Sequence, residues 1–365
     1  MLKILRNVKV LELGGSGPGP MCGYILQDFG ASVTRIINPN AAIIDNFLST
    51  RKNNIALNLK DPKQQSVIKG MILESDILID PMRPGKLEKY SLSPKDLLNE
   101  NNKLIIARIS GYGQPKSKDE ALEKSRPGHD INYLAESGAL WFLMNRKQDQ
   151  ENHIPPLFIA DMAGGAFPTA FGIALALFER EKTGKGCIID TSITNGLLYT
   201  TSLLHASRQE ALNEFRESTN NNGLAIPKSG MTMWPELKNI GKNFLDGGAP
   251  FYRAYPTKDE KFIVVGALEP EVYKKFLKLI DLPEKAANQM DRKSWPRTSN
   301  LIGSIILTKT RDEWINYKDG KLVSEAAVSP IFSPGELLHI PKDYWRYCSS
   351  EDIKYPRPQP KIGST

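Results

Sequence analysis

The chain has 365 residues, 40% of them hydrophobic and 24% charged, enough to bury one large core or two of ordinary size. Its formal charge of +7 and pI of about 9.0 come without a basic block and without aromatics interleaved among the cations. That pattern argues against nucleic acid and suits a diffuse field drawing in a phosphate-bearing small molecule.

Mean hydropathy is −0.35 and no apolar run reads as a bilayer span, so no membrane partner is expected. Met1 to Arg6 runs straight into the apolar stretch Val8 to Leu13, without the features of a cleavable leader. The three cysteines, Cys22, Cys187 and Cys348, are too far apart for a metal cluster. They read as small buried apolar side chains in a reducing compartment.

In chain order, Lys9–Leu13 is an apolar run that predicts a first strand, broken by glycine and proline from Gly14 to Pro20. A helix is predicted over Met21 to Phe29, then strands over Val33 to Ile37 and Ile55 to Leu59. A helix over Gln64 to Glu74 leads into strands at Asp76 to Asp80 and Leu104 to Ile109. Strands alternating with helices predict an α/β fold, a parallel sheet covered on its faces. The break after the first strand lacks the third glycine of a dinucleotide fingerprint. Its prolines also remove N–H donors, and Asn38-Pro39-Asn40 stands where an acidic residue would close the second strand. The loop still sets a ligand edge at the carboxyl end of a strand.

Further on, Gly164 to Arg180 predicts a helix rich in glycine and alanine, followed by a turn and a strand over Cys187 to Asp190. A helical and then polar stretch contains Asn220-Asn221-Asn222. A hairpin is predicted from Phe251 to Tyr255 and Phe262 to Gly266, and amphipathic segments over Val272 to Ile280 and Leu301 to Leu307. The expected organisation is a Rossmann-like large domain over 1–190 completed by 335–365, a helical linker over 191–250 and a small α+β domain over 251–334.

Three titratable residues stand beside glycine or proline. His129 follows Pro127-Gly128 at the start of an apparent helix, where the peptide dipoles disfavour a protonated imidazole; a capping histidine is the alternative. Asp161 precedes a small-residue helix in which Gly164 and Gly165 permit close approach of a ligand, the alternative being an ordinary N-cap. Glu269 precedes Pro270 and reads equally as the start of a helix. The remaining histidines, His153, His205 and His339, form no pair with metal-ligand spacing, so no metal is expected.

At these segments the chain resembles the family III CoA-transferases, and within them the α-methylacyl-CoA racemase branch. The likeness covers nearly the whole length. Its most specific parts are Gly128-His129-Asp130-Ile131-Asn132-Tyr133, Ala160-Asp161, Thr183-Gly184-Lys185-Gly186, Leu245-Asp246-Gly247-Gly248-Ala249-Pro250-Phe251-Tyr252 and Val265-Gly266-Ala267-Leu268-Glu269-Pro270. The resemblance implies that His129 and Asp161 are the two acid/base groups and that Glu269 supports the histidine. It also implies an interlocked homodimer, with Glu269 acting across the subunit boundary. The substrate would be an acyl-CoA, with no separate cofactor. Leu57, Leu59, Lys60, Arg83 and Lys89 fall at CoA-contacting positions, Asp130 lies beside the pantetheine path, and Gly128 and Tyr133 complete the substrate-binding set.

The residue types suit that chemistry. Racemisation removes a proton from one face of a carbon and returns one to the other, so it needs two groups in opposite protonation states. The enolate oxygen needs fixed donors, for which the helix N-terminus after Asp161 is the candidate. Asn38 replaces an arginine the family usually places before Pro39, so Arg35, Arg51 or Lys52 substitutes or the nucleotide is held less firmly. The rival reading is a CoA-transferase of the same fold with Asp161 as nucleophile, but no Gly-rich loop is seen between residues 251 and 330. A silent CoA-binding scaffold is a further alternative, against which all three acid/base positions are filled. The resemblance places the protein in a peroxisome or mitochondrion if eukaryotic and otherwise in the cytoplasm; the terminal Lys361 to Thr365 is not a peroxisomal tripeptide.

Overall fold

The computed structural model describes residues 3–39, 46–143, 158–208, 233, 241–317, 321–337, 345–348 and 351–362. His153, His339 and the Asn220 to Asn222 run lie outside the described residues. The chain forms two compact units, Met1–Ser202 with Pro358–Thr365, and Leu203–Arg357.

In the first unit, six strands form one sheet: β1 (Lys9–Leu13), β2 (Ser32–Ile37), β3 (Asn53–Ala56), β4 (Ile77–Asp80), β5 (Ile105–Ser110) and β6 (Ile188–Ser192). Their order is β3-β2-β1-β4-β5-β6 and every pairing is parallel. This is the doubly wound order, which reverses direction between β1 and β4 and opens a crevice outside their carboxyl ends. The expected Rossmann-like α/β architecture is therefore the one observed.

Side-chain alternation along the strands builds two apolar layers. Val10, Val33, Ile77, Ile105 and Ile109 face one side with Leu26 and Ile173; Leu11, Leu13, Ile36, Leu78 and Ile106 face the other with Ile68, Ile72 and Leu97. The central strands β4 and β5 are buried along their whole length, as strands covered on both faces must be.

Helix α1 (Pro18–Asp28) begins inside the stretch read as a loop, with Pro18 and Pro20 in its first turn. Proline costs nothing there, because first-turn N–H groups have no intrahelical acceptor. A second departure concerns the helix after Asp161. A π-helical turn, Ala160–Ala166, runs directly into Phe167–Thr183, giving 24 continuous residues. Its most apolar 18-residue window has mean hydropathy 1.4, long and apolar enough to cross a membrane by those criteria, which corrects the sequence reading. The sequence reading starts this helix at Gly164, and the π turn extends it back to Ala160. The helix is two-sided: Thr169, Ala170, Ile173 and Ala176 are buried, whereas Phe167, Phe171, Leu175 and Phe178 are 53–67% exposed.

The second unit carries an antiparallel sheet, β7 (Tyr252–Pro256), β8 (Phe262–Gly266) and β9 (Val328–Pro330), in the order β7-β8-β9. The helices Pro270–Leu279 and Trp295–Ile306 contribute Tyr273, Phe276 and Trp295 to a core around Phe251, with edge-to-face ring contacts. The first covers the amphipathic segment read from Val272; the second begins at Trp295, ahead of the segment read over Leu301 to Leu307.

Candidate active site

A hollow of about 240 Å³ lies at the carboxyl ends of β1, β4 and β5 and is lined in part by His129, Asp161, Gly128, Tyr133 and Arg83. Residues more than 30 positions apart in sequence thus meet at the switch point of the sheet. A more open hollow of about 450 Å³ lies beside Ser75, Asp76 and Gly184 at the other end of the strands, far from these groups, and Arg180 there is ion-paired with Asp76.

His129 is the N-cap of a helix over Asp130–Glu136. Its backbone is held twice by Asn132: the His129 N–H donates to Asn132 Oδ1 at 3.0 Å, and the Asn132 N–H donates to the His129 carbonyl at 2.8 Å. The side chain itself is exposed, so the capping role and availability for chemistry coexist. Tyr133 braces the approach. Its hydroxyl donates to the Gly128 carbonyl at 2.6 Å and its ring packs edge-on against Tyr112. A Cβ on Gly128 would stand 2.7 Å from that ring, so the glycine is required by the tyrosine. Burial, with Asp161 and Tyr112 nearby, pushes the Tyr133 hydroxyl up to about 12.

Asp161 sits inside the first turn of the π segment, not before a helix. Its carboxylate lies against Gly17, where an added Cβ would come within 2.7 Å of Oδ2. Burial and then the charge of Asp130 push the Asp161 carboxyl up to about 7. The glycines after it serve a purpose other than the one read from sequence. A Cβ on Gly164 would stand 2.3 Å from the Ile193 carbonyl, and one on Gly196 would stand 2.1 Å from the Gly164 carbonyl. They admit the crossing helix Ile193–Thr200 instead of a ligand. The expected enolate donors are also spent: the Asp161 N–H donates to Asp130 Oδ1 at 2.9 Å and the Met162 N–H to the Phe158 carbonyl at 3.0 Å.

A second hollow of about 270 Å³ shares Gly15 and Pro81 with the first and is lined by Leu57, Leu59, Lys60 and Asn38, largely with apolar side chains. Leu57 and Leu59, read as the end of a strand, lie beyond β3 and line this hollow. Lys89 is exposed at the end of the helix Lys86–Lys89 and lines neither hollow. The cations expected to replace the missing arginine are committed elsewhere. Buried Glu12 takes Arg35 Nε at 3.1 Å and Lys52 Nζ at 2.6 Å. Arg35 also donates to the Gly15 carbonyl and Lys52 to the Pro20 carbonyl, both at 2.7 Å. Arg51 pairs with Asp28 at 2.6 Å. A buried carboxylate needs such partners, and this one ties both ends of the glycine–proline loop to the sheet.

Glu269 lies in the second unit, exposed at the N-cap of Pro270–Leu279. Cys22 is buried as expected, but Cys187 is exposed on the edge strand side of the sheet. Sequence reasoning missed Lys124 and Arg126, which line the first hollow. Arg126 stacks on the Tyr112 ring at 3.9 Å and pairs with Glu136, to which Tyr112 also donates at 3.0 Å. The signal was the pair of cations placed just before Pro127-Gly128.

The family description CoA-transferase family III matches residues 5–346. The chain belongs to the family III CoA-transferases. It is 37% identical to the α-methylacyl-CoA racemase of Mus musculus and 36% identical to that of Homo sapiens, in each case over 99% of this chain and 87% of the relative. Among solved structures it is similar to a CAIB/BAIF family protein from Brucella suis, with TM-score 0.73 and 18% identity over 99% of this chain and 93% of the other. That likeness supports the fold.

Proposed function

We propose that this family III member is an isomerase that racemises 2-methylacyl-CoA thioesters by α-proton abstraction and reprotonation through an enolate. The observation that carries the reading is the meeting of His129 and Asp161 in one hollow at the carboxyl edge of the sheet, in a chain 37% identical to a racemase. A carboxyl raised to about 7 is present in both protonation states near neutral pH, as a group that takes a proton in one direction and returns it in the other must be. His129 serves one enantiomer and Asp161 the other, with Glu269 supporting His129. The acyl-CoA thioester acidifies its own α-proton, and in this reading no resident cofactor takes part. Leu57, Leu59 and Lys60 take the nucleotide end, and Arg83, Gly128 and Tyr133 the reacting end. The setting is intracellular fatty-acid metabolism, peroxisomal or mitochondrial in a eukaryote.

The working unit in this reading is a homodimer in which Glu269 reaches the partner's site. In support, Phe167, Phe171, Leu175 and Phe178 expose one continuous apolar stripe, and Ile188 and Tyr199 are exposed as well. Exposed apolar surface of that extent marks an interface. Placing glutamate at Phe171 and Phe178 is expected to give a monomer by sedimentation and to abolish activity; an unchanged, active dimer rules out this interface.

Asp161 is also the residue a CoA-transferase would use as nucleophile, so a direct comparison is needed. The protein is incubated in deuterated water with one 2-methylacyl-CoA and a second free acid. Deuterium at C2 without CoA transfer is the expected result. Transfer to the second acid without deuterium uptake makes the chain a transferase.

A further inference from the structure

Asp130 follows His129 directly in sequence, yet its side chain turns to the other catalytic segment. Its Oδ1 accepts the Asp161 N–H at 2.9 Å, bridging 31 positions of chain. One carboxylate therefore ties the helix start that carries His129 to the π turn that carries Asp161. Asp130 itself is not among the residues lining either hollow, and the resemblance implies a place for it beside the pantetheine path.

We propose that Asp130 is a positioning residue: through that hydrogen bond it fixes the separation of His129 and Asp161 and holds a second carboxylate against the Asp161 segment. This rests on the racemase reading for its kinetic consequence, but the bond and the charge effect stand apart from it. Among the described residues, the other ionisable groups around this end of the hollow are Tyr133 and His129 from the same helix and its cap, Arg83 from the loop after β4, and Lys124 and Arg126 from the segment before Gly128. The loop after β1 and the helix Ile193–Thr200 meet the π turn with Gly17, Pro18, Ile193 and Gly196, none of them ionisable. Asp130 is thus the anionic neighbour that Asp161 meets, and burial with that charge is what raises Asp161.

The test is Asp130→Asn, which keeps an oxygen to accept the Asp161 N–H and removes the charge, beside Asp130→Ala, which removes both. Initial α-deuterium exchange is measured for each 2-methylacyl-CoA enantiomer from pH 5.5 to 8.5. Exchange of the enantiomer whose proton Asp161 takes needs the ionised carboxylate, so that rate rises with pH through the Asp161 titration; exchange of the enantiomer that His129 faces does not draw on Asp161. Losing the like charge lowers the Asp161 titration, so at pH 6 the first rate gains several-fold while the second is unchanged. A gain confined to one enantiomer cannot come from a loosened fold. Asp130→Ala is expected to show the same shift together with a fall in kcat for both enantiomers. Unmoved limbs in Asp130→Asn, with only KM raised, reduce Asp130 to a CoA contact and overturn the proposal. A carbon-13 titration of the Asp161 carboxyl, assigned with Asp161→Asn, decides the point without turnover. An identical midpoint in wild type and Asp130→Asn overturns the proposal, whereas absence of any α-exchange in the wild type overturns only the racemase reading.

Discussion

His129→Ala and Asp161→Asn are each expected to lower racemisation by about 10²–10⁴-fold, the range a positioned general acid or base contributes. The losses are not alike. With His129 gone, Asp161 still removes the proton from the enantiomer it faces, and that substrate exchanges hydrogen with solvent while keeping its configuration. With Asp161 neutralised, the reverse enantiomer retains exchange. Inversion fails in both variants because the second face has no proton to give. Following deuterium uptake and configuration separately for the two enantiomers distinguishes this from a common binding defect, which would lower all four rates together. Full racemisation by both single variants would remove these residues from the chemistry.

Glu12→Ala is expected to destabilise the protein by about 3–5 kcal/mol, the cost of breaking a buried ion pair by deleting one partner. Glu12 is fully buried, as is the ammonium of Lys52, and the Arg35 side chain is 3% exposed. Removing the carboxylate leaves two buried cations whose charge water cannot reach. The cavity next to Gly23 adds to the loss, since that glycine exists to make room for the carboxylate: a Cβ there would stand 2.1 Å from Glu12 Oε2. Because Arg35 and Lys52 also hold the Gly15 and Pro20 carbonyls, the loop that borders both hollows loosens with them. Equilibrium denaturation of the variant measures the effect, and Glu12→Gln is expected to recover little, as it keeps the shape without the charge. A change under about 1 kcal/mol would mean that the cluster is solvated in the native protein.

The architecture was legible because alternating apolar runs with glycine–proline breaks admit few arrangements, and parallel strands joined by helices give a doubly wound sheet. The pairing of His129 with Asp161 was legible only through the resemblance, since nothing local to either residue reports the other. Three things were hidden for physical reasons. Gly164 and Gly165 look like ligand-contact glycines until Ile193 and Pro18 are seen packed against them. The cations Arg35 and Lys52 look like phosphate partners until Glu12, an ordinary residue in an apolar strand, proves to be buried between them. Asp130 reads as part of a motif, and only the fold turns its carboxylate toward the Asp161 amide.

The most direct measurement starts from one pure enantiomer of 2-methylacyl-CoA in deuterated water and isolates the inverted product at early conversion. Two groups on opposite faces deliver the incoming proton from a base that never held the outgoing one, so the inverted product is expected to be almost wholly deuterated at C2. An inverted product that keeps the substrate's own hydrogen would mean a single group working on one face, and would contradict the assignment of His129 and Asp161.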